Sequence, residues 1–313
     1  MYMNKQKGRG NMKIGIQIES ELLWYGEEGA LKMAAEAGFD AIDYSLHPQT
    51  DPYTCLLATG TEEEVFAHYA KLGAYAKRLG LSITQTHAPL AHNYVPEETE
   101  YNRNMLAMQL NSIPATAALG AKYEVVHVVQ PPLTRWSEEY QAFGESLNVE
   151  FFRKLLPLLR KYDVKVAIEN LFGITTLPTD DYDYSLNSRT SEMLRVINLL
   201  NDMAGEERFV ACVDTGHALV MGQDPAEMIR SLGSRVKVLH IDDNDGKHDF
   251  HYPPYLGKTN WSDVLAALKE IGFDGSFNFE VYPFYGGHTP DCTFEAMRFL
   301  YMLGHRMTME AGL

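Results

Sequence analysis

Nine side chains able to bind a metal ion stand at or just after the ends of short apolar runs in this chain of 313 residues: His87, His127, Glu169, Asp214, His217, His240, Asp249, His251 and Glu280. Four of them anchor the reading. Glu169, Asp214, His240 and Glu280 close the apolar runs 164–169, 209–214, 236–240 and 276–280. Ending a buried strand on a carboxylate or an imidazole is costly unless positive charge lies there. One such glutamate can pair with a lysine or arginine instead, but four in succession point to a shared metal ion. Two glutamates, an aspartate and a histidine form a hard, oxygen-rich donor set that accepts Mn²⁺, Mg²⁺, Co²⁺ or Zn²⁺, and charge alone does not choose among them.

The other five extend the pattern. His87 and His127 end the third and fourth apolar runs, beside Glu169 on the fifth. Glu169 can therefore bridge a metal held by those histidines and another held by the first four. His217, Asp249 and His251 offer a third site with two nitrogen donors and one oxygen. Each histidine also has a competing role, as a hydrogen-bond partner of substrate or of a ligand.

Alternation of strands and helices must position these groups. Strands are expected at 13–18, 39–44, 82–87 and 123–129, followed by the four runs named above, which makes eight. Helices are expected at 29–37, 62–79, 99–119, 137–162, 191–201, 225–232, 261–271 and 291–306, with a kink at Pro157. Ser137 and Ser191 read as helix starts, and Gly38, Gly80, Gly120 and Gly272 as helix stops. Strands alternating with helices imply parallel βαβ units. Eight units in this length match a single (β/α)8 TIM barrel better than an open doubly wound sheet, and no GxGxxG follows the first strand. In such a barrel the C-terminal strand ends converge on one face, where active sites sit. The loops 47–61 and 171–190 are long and lie on that face; the second carries Asp180, Asp181, Tyr182, Asp183 and Tyr184.

Composition bounds the partners. Hydrophobic residues make up 45% and charged residues 22%, enough for a full core. A net charge of −15 argues against general binding to nucleic acid or anionic membranes. Cys55, Cys212 and Cys292 are far apart with no CxxC pair, which suits a reducing compartment, and Cys212 reads as a small core residue. No apolar run is long enough to span a bilayer. Residues 1–12 are polar and basic without the apolar stretch of a secretory signal, so they read as a loose extension before a domain at 13–313, with the cytoplasm as the default location.

The ordered segments 86–89, 166–170, 213–218, 240–251, 256–258 and 279–280 resemble the xylose isomerase-like TIM-barrel superfamily, over about residues 13–306. That superfamily holds sugar isomerases and epimerases, inosose dehydratase-like enzymes and endonuclease IV. Similarity to its ketose 3-epimerases implies that Glu169, Asp214, His240 and Glu280 bind one divalent metal, with Glu169 and Glu280 as the acid/base pair. Abstracting a proton α to a carbonyl needs such a base and a stabiliser for the enediolate oxygens. His87, His217 and Trp24 are the expected substrate contacts; Trp24 and Tyr25 could equally pack at the rim. There are departures from the epimerases: Thr175 stands where they offer a glutamate, and Gly246 where they offer an arginine. Similarity to endonuclease IV gives all nine ligand positions counterparts and implies more than one zinc. The acidic balance and the lack of clustered Lys/Arg in the loops weigh against that reading. The expectation is a metal-dependent isomerase or epimerase of a small sugar-like molecule, a homo-oligomer being allowed; the alternative is a zinc-dependent hydrolase of abasic DNA.

Overall fold

The computed structural model describes residues 12–91, 94–95, 97, 99–131, 137–173, 185–286 and 288–313. Thr175 and the acidic stretch 180–184 fall outside these residues. Eight strands are described: β1 (Lys13–Ile18), β2 (Ala41–Ser45), β3 (Ser82–His87), β4 (Tyr123–Val126), β5 (Lys165–Glu169), β6 (Phe209–Asp214), β7 (Val236–His240) and β8 (Ser276–Phe279). They pair in parallel in the order β7-β6-β5-β4-β3-β2-β1-β8. The ends of this sheet meet through a parallel bridge between Ile241 and Phe279. Ile241 N donates to Asn278 O at 2.8 Å and Glu280 N to Ile241 O at 3.1 Å. The result is a (β/α)8 barrel.

The helices are α1 (Ser20–Ala37), α2 (Leu56–Thr59), α3 (Glu62–Arg78), α4 (Glu100–Leu119), α5 (Glu138–Tyr162), α6 (Thr190–Ala204), α7 (Thr215–Val220), α8 (Pro225–Leu232), α9 (Trp261–Glu270), α10 (Tyr282–Tyr285) and α11 (Pro290–Ala311). Their ends follow local chemistry. Thr61 and Glu64 form a capping box on α3, and the hydroxyls of Thr99 and Ser137 cap α4 and α5. Gly38, Gly80, Gly120 and Gly272 all adopt positive φ where their helices stop.

Three expectations change. Helix α1 starts at Ser20 rather than residue 29, because Gly26 (φ 69°) breaks its helical path and hides the first turns from a periodicity search. Ser191 lies inside α6, whose N-cap is Arg189. The helices α2, α7 and α10 are four to six residues long, too short to show a period.

Outward strand residues such as Ile14, Ile42, Ile168, Val213 and Phe277 join the main core under the helices. Val125, Ala167, Val210, Cys212 and Val238 form a second, smaller cluster inside the barrel. Cys212 is thus a buried core residue, as its strand suggests.

Candidate metal centre at the barrel mouth

Side chains alternate along a strand, so every second residue points into the barrel. At the C-terminal ends that phase selects Glu19 just past β1, Ser45 on β2, His87 on β3 and His127 just past β4. On the other side it selects Glu169 on β5, Asp214 on β6, His240 on β7 and Glu280 just past β8. Every strand contributes a polar group to this ring.

Four members converge tightly. His240 Nδ1 lies 2.9 Å from Glu169 Oε1, 2.9 Å from Glu280 Oε2 and 3.9 Å from Asp214 Oδ2. One donor atom from each of the four lies within 4.8 Å of the others, and all four residues are buried. Among the described residues the buried Asp214 Oδ2 accepts no hydrogen bond, and Glu169 Oε2 and Glu280 Oε2 have imidazole nitrogens as neighbours, at 2.8 and 2.9 Å. Three carboxylates and one imidazole thus bring donor atoms to one small volume. A divalent cation therefore fits the donor set that these residues present.

One layer deeper, Asp43 orients His240. Its Oδ2 lies 3.0 Å from His240 Nε2 and accepts from Gln85 Nε2 at 2.8 Å and Asn278 Nδ2 at 3.5 Å. A cation bound at Nδ1 would require the neutral ring, with Nε2–H donated to Asp43. This is the carboxylate–histidine relay that commonly supports a metal ligand. Gly15 makes room for it, since a Cβ there would sit 2.4 Å from Asn278 Oδ1.

The five further residues reach the same mouth. His127 Nε2 is 2.8 Å and His87 Nε2 3.5 Å from Glu169 Oε2, and the His87 ring stacks on that of His240 at 5.6 Å. Asp214 also caps α7, accepting from His217 N at 2.6 Å, and this turn folds His217 back onto the site. His217 Nδ1 lies 3.5 Å from Glu169 Oε1. Asp249 Oδ2 is 3.0 Å from His251 Nε2 and 3.6 Å from His217 Nε2, so those three form a separate cluster. The turn that returns Asp249 and His251 has Gly246 at φ 74° and Asp245 Oδ1 accepting from Lys247 N and His248 N.

Two aspartates were passed over in the sequence. Asp242 Oδ2 lies 3.2 Å from His251 Nδ1, and its Oδ1 accepts from Gly216 N at 2.6 Å. Residue 216 must be glycine for that approach, because a Cβ would meet Asp242 Oδ2 at 2.3 Å. Asp243 accepts from the backbone of Tyr255, Gly257 and Thr259 and from Trp261 Nε1, and so pins the long loop after β7. Trp24 is 63% exposed on α1, and Lys258 approaches the Gly246 turn rather than the four-residue cluster.

The crowding of charges shifts their protonation. Burial opposes ionisation of Glu169 and Glu280, yet the His240 imidazole outweighs it and holds both below the usual carboxylate range. Asp214 is pushed well up by burial and by Asp242. Burial lifts Asp242 to about 7 against the pull of His251. Burial drives His127 down to about 4; at His87 it is overcome by Glu169, which raises that ring to about 9. Neutral His127 is in the form that can ligate a metal.

A sequence profile of the xylose isomerase-like TIM barrel family matches residues 31–302, and the chain belongs to that family. It is 22% identical to a D-psicose 3-epimerase of Enterocloster bolteae over 257 residues, covering 80% of this chain and 75% of that one. A probable endonuclease 4 of Cenarchaeum symbiosum is 23% identical over 201 residues, covering 59% and 65%. Among solved structures, a D-tagatose 3-epimerase-like protein superposes with a TM-score of 0.66 at 20% identity, over 96% of this chain and 99% of the other.

Proposed function

We propose that this member of the xylose isomerase-like family is a metal-dependent epimerase or isomerase of a sugar or sugar-like polyol. The observation that carries the reading is the pair of carboxylates, Glu169 on β5 and Glu280 past β8, each 2.9 Å from His240 Nδ1. They come from strands three apart around the barrel, so a small substrate between them meets a carboxylate on either side. Both carboxyls are held ionised, the state required of a general base. One takes the proton from the carbon α to a carbonyl; the other, once protonated, returns a proton from the far side and inverts the centre. Gln17 Nε2 donates to Glu280 Oε1 at 2.7 Å and fixes that carboxylate's rotamer. A divalent cation held by Glu169, Asp214, His240 and Glu280 supplies stabilisation for the negative charge that develops on the substrate oxygens. The relatives that carry epimerase names support this chemistry over others the family fold could host.

The test is proton exchange. Purified protein loaded with Mn²⁺, Mg²⁺, Co²⁺ or Zn²⁺ is incubated in D₂O with a panel of ketoses. Deuterium should enter at the carbon α to the carbonyl as the epimer or isomer accumulates. A panel that shows neither exchange nor product with any of the four metals sinks the reading.

A second reading, a zinc-dependent hydrolase of abasic DNA, draws on the separate His217–Asp249–His251 cluster, which brings all nine ligand-type residues to one mouth. The charge of −15 opposes it. Binding to abasic duplex that weakens steeply with salt, together with strand incision and about three zinc ions per chain, would reverse the ranking.

A further inference from the structure

The ring at the barrel mouth has a side that the metal chemistry does not use. Glu19, Ser45 and His47 stand at the ends of β1 and β2, across the barrel from β5 and β6. Glu19 Oε2 accepts from Ser45 Oγ at 2.9 Å and lies 3.2 Å from His47 Nδ1. That leaves Glu19 Oε1 without a partner among the described residues. His47 Nε2 is buried and likewise makes no hydrogen bond. The His47 ring meets the edge of His87 at 5.1 Å, which ties this group to the catalytic cluster through His87. On the β8 side, Tyr282 packs against His251 at 5.4 Å, and its phenol is pushed up to about 12 by burial and by the charges of Glu280, Glu19 and Asp249.

We propose that Glu19, Ser45 and His47 form a substrate-end subsite that takes hydrogen-bond donors, hydroxyl or ammonium groups, and rejects phosphate and carboxylate. The proposal rests on the epimerase reading above and adds the substrate class. The subsite presents Glu19 Oε1 as an acceptor, with His47 Nε2 buried and unpartnered beside it. Burial opposes ionisation of Glu19, but His47 and Ser45 outweigh it and keep the carboxylate charged. Among the described residues, every ion-pair partner of Glu19, Glu169, Asp214 and Glu280 is a histidine. The Glu19 carboxylate facing a phosphate would leave like charges in contact, which is an effective means of rejection.

The experiment measures kcat and KM of the metal-loaded protein for D-fructose, its 1- and 6-phosphates and 1-amino-1-deoxy-D-fructose. The proposal expects kcat/KM for the free sugar or the amine to exceed that for either phosphate by about tenfold or more, a loss of ~1.4 kcal/mol. Preference for the amine over the free sugar identifies the donor as ammonium; the reverse identifies it as hydroxyl. Glu19→Gln should raise KM for the free sugar and narrow its lead over the phosphates, and His47→Gln, which leaves the carboxylate in place, should do so less. Turnover in which a phosphate is used as well as the free sugar, or a preference unmoved in both variants, overturns the subsite and leaves the epimerase reading standing. Absence of turnover with every compound by the unaltered protein overturns the epimerase reading, and the subsite with it.

Discussion

The two halves of the barrel interior are built differently one layer below the mouth. Under Glu169, Asp214 and His240 lie Ala167, Cys212 and Val238, with Val125 beside them, an apolar floor. Under Glu280, Glu19, Ser45 and His87 lie Asn278, Gln17, Asp43 and Gln85, all polar and all buried. A barrel of this type ordinarily fills its interior with branched apolar side chains, as the first half does. The apolar floor lowers the local dielectric under the ligands, which strengthens their hold on a cation and their mutual repulsion without one. The polar half orients groups instead. Its amides fix Asp43, Asp43 fixes His240 from across the barrel, and Gln17 fixes Glu280. One half supplies field and the other supplies direction.

The largest effect should come from the carboxylates that both halves serve. Glu280→Gln is expected to lower kcat by about 10³-fold, because an amide oxygen can still ligate but cannot carry a proton. Metal content, read by elemental analysis, should fall only in part. Glu169→Gln should match it in turnover and lose more metal, since Glu169 also faces His87 and His127. Turnover that survives either substitution would remove that residue from the proton-transfer role.

A smaller effect tests whether the polar half directs. Asp43→Asn keeps the volume and removes the acceptor charge behind His240, so metal affinity measured by calorimetry should drop ~10–100-fold. In zinc-loaded protein, ¹⁵N shifts of the His240 ring should move away from the Nε2–H tautomer. An unchanged tautomer and unchanged affinity would mean that Asp43 is only a filler of the barrel interior.

Much of this was legible in the residues themselves. A ligand-type group at the end of each of four consecutive apolar runs pointed to the four side chains that converge at the mouth, and alternation of strand and helix revealed the barrel. Asp43 was hidden inside a run that reads as an ordinary strand. Only the period-two phase, with Ser45 and Asp43 on one face, marks it as inward. Glu19 and His47 fall just beyond their strands, where they look like the start of a helix and of a loop. Asp242 and Asp243 stand next to His240 in an acidic run, and what separates a backbone clamp from a site residue there is the folding of residues 255–261 around Asp243. Helix α7 was missed because six residues carry no period, although Asp214 before it is a standard cap.

A carboxylate that belongs to neither half gives the smallest effect and sharpens the contrast. Glu124 on β4 points outward, buried against α4, and burial raises it to about 8 despite the Ser112 and Thr116 hydroxyls. At the mouth, imidazoles hold Glu169 and Glu280 ionised; at Glu124 the charge of His87 pulls the same way but does not overcome burial. Its folded pKa lies above the unfolded value of 4.5, so between those limits the folded chain retains a proton that the unfolded chain has lost. Stability therefore falls as pH rises from about 4.5 to 8 and levels off above, the opposite sign to an ion-paired carboxylate. Glu124→Gln removes this dependence. The variant should gain on the parent as pH rises from 5 to 8, by roughly 3–4 kcal/mol in denaturant titrations. A difference between the two that is flat with pH would mean that Glu124 ionises freely, and that burial does not suffice to keep a carboxyl neutral in this barrel.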